Sequence, residues 1–102
     1  MTDKEYREML EKVIETNERI ITSSTKDIER YNKELAEQRK IDREMVEYIW
    51  SKGVVDEFEM EIYNKNYQSK ETKEIIKRRA FEYRFRKSLE RHNKKYKEYL
   101  AQ

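Results

Sequence analysis

The chain contains no cysteine and no proline, and among its 102 residues there is one glycine and one histidine. Without cysteine there is no disulfide, no thiol nucleophile and no zinc site of the usual thiolate kind. Gly53 alone cannot build a glycine-rich loop that cradles a phosphate. His92 alone cannot supply the Glu-x-x-His pairs of helical metal sites, and position 89, three residues before it, is leucine. Apolar residues never run beyond three in succession, so no segment is expected to span a membrane. Charges throughout the first twenty residues argue against a signal peptide. No catalytic, metal or cofactor residues stand out. The expectation is a soluble, cytoplasmic protein that is not an enzyme.

What remains is charge and aromatic side chains. The chain is 45% charged and 35% hydrophobic, against usual values of about 25% and 45–50%. Such a chain is either disordered or built of long amphipathic helices around a thin core. Eight Tyr, three Phe and a Trp favour folded helix. The net charge of +2 hides a division. Residues 1–63 hold 11 basic and 17 acidic groups, a balance of −6; residues 64–102 hold 13 and 5, a balance of +8. Asymmetry of this size points to a nucleic acid or an acidic protein surface as partner.

The hydrophobic period sets an all-α fold in one domain over 1–102. From Tyr6 to Trp50 the apolar residues keep one helical stripe, and only Ile41 and Tyr48 fall outside it. That predicts one long helix over about 5–52, roughly 70 Å if straight. Thr2 with Glu5 makes a capping-box pattern at its start, and Gly53 suits the position after its end. Thr22, Ser23, Ser24 and Thr25 are poor helix-interior residues, and Ser24 with Asp27 can cap a fresh helix. A kink or break at 22–25 is therefore the alternative. Asn17, Ser24 and Gln38 lie on the stripe itself, where polar residues set register or reach water.

Asp56 and Glu59 start a short helix over about 57–66, and Ser69 caps a last helix over about 70–101. The expected architecture is a long helical hairpin, coiled-coil-like, in the order long, short, long. On the last helix Phe81, Phe85, Leu89, His92, Tyr96, Tyr99 and Leu100 form the expected inward seam. Ile76, Ala80 and Tyr83 form a second apolar patch for the short helix. The last helix is roughly 48 Å long, so it cannot cover the first along its whole length. The stripe near Tyr6–Ile14 or near Met45–Trp50 is then expected to be bare unless a homodimer or another protein covers it.

Opposite that seam lie Lys70, Lys73, Lys77, Arg84, Lys87, Arg91, Lys94 and Lys95, a row of one sign. Like charges at i,i+4, such as Lys73/Lys77 and Arg91/Lys95, cost a few tenths of a kcal/mol each. A basic row over five or six turns can follow a phosphate backbone, and the same row suits an acidic protein groove. A solvated surface is the bland alternative.

Residues 61–81, EIYNKNYQSKETKEIIKRRAF, resemble the helix-turn-helix of region 4 of bacterial sigma factors and of small phage transcription activators built the same way. Glu61-Ile62, Ser69 as cap of the recognition helix, Thr72, Ile76 and Ala80-Phe81 carry the resemblance, the last three as inward positions. It implies that Lys70, Glu71, Lys73, Glu74 and Lys77 face the major groove. Two functions are left open. One is a regulator that binds nucleic acid, or a complex that handles it, through the basic row. The other is an interaction module acting by coiled-coil contacts, such as a phage-encoded inhibitor of a host or defence protein.

Overall fold

A computed structural model describes residues 1–64 and 66–102. It contains three helices, α1 (Asp3–Lys52), α2 (Glu57–Ile62) and α3 (Lys70–Leu100), and no strand among the described residues. The order long, short, long is the expected one. No helix among the described residues is long and apolar enough to cross a membrane.

The helix ends follow from local chemistry. At the start of α1 the Glu5 N–H donates to Thr2 Oγ1 at 3.1 Å. At its end Gly53 takes φ +87°, the left-handed conformation only glycine adopts without strain, and its N–H donates to Ile49 O at 2.9 Å. The helix runs unbroken through 22–25. The Thr22 and Thr25 hydroxyls donate to the carbonyls of Glu18 and Ile21 four residues back. Ser24 does not cap a new helix; its hydroxyl donates to Glu82 Oε2 at 2.8 Å. Asp56 caps α2, accepting from Glu59 N–H at 2.8 Å, while the Glu59 carboxylate accepts from Val55 N–H and pairs with Lys52. The short helix stops at Ile62, four residues before the expected 66. Asn64 folds a turn instead: its side-chain oxygen accepts from Asn66 N–H and its carbonyl from Tyr67 N–H. Lys65, within the expected range, lies outside the described residues.

The chain forms two compact units, residues 1–29 with 80–102, and residues 30–79. In the first, the α1 and α3 segments are antiparallel, joined by Tyr6–Tyr99, Asn17–Asn93 and Ser24–Glu82 contacts. Its buried apolar residues are Leu10, Ile14 and Ile28. In the second, residues 30–52 of α1 pack with α2 and the start of α3 around Leu35, Ile49 and Ile62. Trp50 stacks on Tyr63, with ring centres 4.2 Å apart, and donates to its carbonyl at 2.8 Å. The Met45–Trp50 end of the stripe is thereby only partly covered: Ile49 is buried and Met45 and Val46 are half-buried, while Trp50 stays 44% exposed.

The inward face of α3 differs from the expected one. Thr72, Ile75 and Arg79 point inward in the second unit, and Glu82, Arg86, Leu89, Asn93, Tyr96 and Leu100 in the first; all are buried or half-buried. They alternate three and four residues apart, the spacing of a coiled-coil seam. Leu89, Tyr96 and Leu100 are shared with the expected seam. Phe81, Phe85, His92 and Tyr99 are exposed. Tyr83 is also exposed, whereas Ile76 and Ala80 are half-buried. The reason is polar pairing. Asn17 Nδ2 donates to Asn93 Oδ1 at 2.9 Å, and Asn93 Nδ2 to Ile14 O at 3.2 Å. Arg86 donates to Thr25 Oγ1 at 3.1 Å, and Arg79 to Asn32 Oδ1 at 3.0 Å. Polar seam residues with partners on α1 turned α3 so that the phenylalanines face out.

Candidate functional site

All eight residues of the basic row are exposed on α3, on the face away from its buried seam. Lys70, Lys73 and Lys77 belong to the unit of residues 30–79. Arg84, Lys87, Arg91, Lys94 and Lys95 belong to the other. None of the eight takes part in an ion pair or a side-chain hydrogen bond among the described residues.

The other cations of α3 behave differently. Arg78 pairs with Glu74 at 3.3 Å, Arg86 with Glu90 at 3.2 Å and Lys97 with Glu18 at 2.9 Å, while Arg79 bonds Asn32. The fold thus divides the basic residues of this helix into a tied set and an untied set. The untied set is the one-signed row. Between Arg84 and Lys95 five cations fall within about 16 Å of helix, a mean spacing of roughly 4 Å. That axial density is close to the one charge per about 3.4 Å of a single nucleic-acid strand. A shallow depression runs among Arg84, Lys87, Arg91 and Lys94, and the one acid beside it, Glu90, is held by Arg86.

The segment carrying the first part of the row is anchored by a buried carboxylate. Asp42, on α1, accepts from Ser69 N–H at 3.1 Å and Thr72 Oγ1 at 2.6 Å. Ser69 Oγ in turn accepts from Thr72 N–H at 3.2 Å, capping α3. Burial alone pushes the Asp42 carboxyl up, but the hydrogen bonds from Thr72 and Ser69 outweigh it and hold its pKa below the usual aspartate value. Its other oxygen, Oδ1, is buried without a partner among the described residues. Asp42 therefore fixes where α3 begins, and with it where Lys70, Lys73 and Lys77 project.

A second surface lies on the unit of residues 1–29 and 80–102; sequence reasoning expected the stripe near Tyr6–Ile14 as one of two stretches left bare, but missed the α3 half by placing its residues in the inward seam. On α1, Tyr6, Val13 and Ile20 recur every seven residues beside the seam before Asp27 ends the column, and Met9, Thr16 and Ser23 flank them. On α3, Phe85, His92 and Tyr99 form the matching column, flanked by Phe81, Ser88 and Lys95. Tyr6 and Tyr99 meet edge to face at 5.3 Å, so the columns share one side. Phe81 stacks on Phe85 and His92 on Tyr96. The opposite side carries charges, among them Glu18 and Lys97. The signal in the sequence was the absence of charge from these seven-residue columns, visible only once the seam is correctly placed.

No protein-family model, no curated protein and no solved structure matches the chain.

Proposed function

We propose that the protein is a small helical binding protein, without enzymatic activity, that regulates its partner by engaging nucleic acid through the outer face of α3. The observation that carries this reading is the division of the α3 cations: four are engaged by neighbours, and eight are left exposed in one row and untied among the described residues. An ordinary solvated helix face relieves like-charge repulsion by interleaving acids at i,i+4. This row has none between Arg84 and Lys87 or between Arg91 and Lys95. Neutralising phosphates releases condensed counterions, a favourable term that needs no base contact. The contacts assigned are Lys70, Lys73, Lys77, Arg84, Lys87, Arg91, Lys94 and Lys95, all to backbone phosphates, which gives affinity without sequence preference.

The test is the triple reversal Lys77→Glu, Arg84→Glu and Arg91→Glu, measured by binding to a labelled duplex and a labelled single strand. The three positions are exposed, so helicity by circular dichroism is expected to be unchanged. Weaker binding with a salt slope shallower by about 3 is the expected result. Wild-type affinity in the reversed variant refutes the reading.

The second reading, contact with another protein, is favoured by one observation: the exposed aromatic columns around Phe81 and Phe85. It predicts that substitutions there, and not in the basic row, abolish function.

A further inference from the structure

We propose that the uncharged side of the unit formed by residues 1–29 and 80–102 is covered by the same side of a second copy of the chain. The two columns and their flanks comprise twelve positions, of which Lys95 alone carries a formal charge. A chain that is 45% charged would place roughly five charges there if position were indifferent. Apolar groups stand in their stead, with Phe81 60% and Phe85 40% exposed and Tyr6, Met9, Ile20 and Tyr99 between 37% and 39%.

Area and stability identify the occupant. The aromatic column from Phe81 to Tyr99 is about 27 Å long, and two adjacent helices present a width of roughly 18–20 Å. The footprint is about 500 Å² per chain, so two copies bury about 1,000 Å², the threshold of a specific interface. Within this unit Leu10, Ile14 and Ile28 are the buried apolar side chains among the described residues, and two helices with so thin a core are marginal alone. That deficit belongs to every molecule, so its cover must be present wherever the chain is. A second copy meets that condition.

The surface also suits itself. The α1 column is largely aliphatic and the α3 column aromatic. A two-fold axis parallel to the helices sets each α1 column against the partner's α3 column, antiparallel, as in a four-helix bundle. Charge repulsion between identical copies is absent from the centre of such a contact, and Lys95 sits at its rim. Seven of the eight basic-row residues lie away from the contact and only Lys95 reaches its rim, so this inference is tested independently of nucleic-acid binding.

Sedimentation equilibrium of the full chain over a dilution series is expected to give twice the 12.8 kDa of one chain. Phe81→Glu with Phe85→Glu is expected to halve that mass and, because the thin core loses its cover, to lower the temperature at which the helical signal melts. A wild-type chain that sediments at 12.8 kDa throughout overturns the proposal. So does a helical double variant that keeps the dimer mass. Because the chain has no cysteine, Ile20→Cys and Glu11→Cys each carry a single nitroxide. The intermolecular distance is expected to be shorter at position 20 than at 11, on the charged side. The reverse order overturns the assignment even where the phenylalanine variant fails to fold.

Discussion

Replacing Asp42 with alanine tests the anchor of α3 most severely. Two charge-assisted hydrogen bonds vanish, from Ser69 N–H at 3.1 Å and Thr72 Oγ1 at 2.6 Å. Bonds to a charged acceptor contribute about 1.5–3 kcal/mol each, so the gross loss is about 3–6 kcal/mol. Two effects offset part of it. The Thr72 hydroxyl keeps Ser69 Oγ as a partner at 3.0 Å. Removing a carboxylate whose Oδ1 is buried and unpartnered also relieves a penalty of about 1–3 kcal/mol. The Ser69 N–H has no such substitute. The net destabilisation is therefore about 2–3 kcal/mol. Trp50 is the single tryptophan and stacks on Tyr63 in the same unit as Asp42, so its fluorescence reports unfolding of that unit. With a urea m-value of about 1.5 kcal/mol/M, the midpoint falls by about 1.5 M. A shift equivalent to less than about 0.5 kcal/mol, the range of an ordinary surface substitution, would mean that Asp42 does not anchor α3.

Acid should act through the same carboxylate. Because its folded pKa lies below the ordinary 3.8, its contribution is complete above that value and is lost as pH falls below it. The wild-type urea midpoint is expected to drop more steeply below pH 3.8 than that of Asp42→Asn, and parallel curves would exclude the assignment. Asn93→Ala leaves the Asn17 amide without its partner and is expected to cost about 2 kcal/mol by thermal melting. Leucine at both Asn17 and Asn93 is expected to be neutral or stabilising, since matched apolar groups replace a matched polar pair. A double variant less stable than Asn93→Ala contradicts that account. Gly53→Ala meets open space at its Cβ, so its cost, about 1 kcal/mol in a urea titration, comes from φ +87° alone. An unchanged midpoint would mean the turn relaxes.

The helices were legible because their signals are local. One apolar phase from Tyr6 to Trp50, Thr2 and Asp56 as caps, and Gly53 as stop each act over a single turn. The basic row was legible too, since it lies opposite either version of the seam. The seam of α3 was not, because hydrophobicity was the wrong guide there. Its register is held by Asn93 on Asn17, Glu82 on Ser24 and Thr72 on Asp42, pairs that sequence separation hides. The mutual regularity was nevertheless present: residues 82, 86, 89, 93, 96 and 100 match 10, 14, 17, 21, 24 and 28 in the same alternating spacing. Weighing polar residues as partners rather than as defects in a stripe would have placed Phe81 and Phe85 outside. The end of α2 at Ile62 was missed for a related reason, since Asn64 spends its side chain on a turn rather than at a helix end.

In the proposed complex the untied cations of α3 meet a chain of phosphates, and binding of the purified protein to a nonspecific duplex and to a single strand across a salt series reads that contact out. Each phosphate neutralised on duplex DNA contributes roughly −0.9 to the log–log slope. The five cations from Arg84 to Lys95 alone thus predict a slope of about −4.5, and all eight about −7. Either value establishes the row as a phosphate-binding surface. No binding at low salt, or a slope near zero, contradicts that contact and leaves the row as solvated surface.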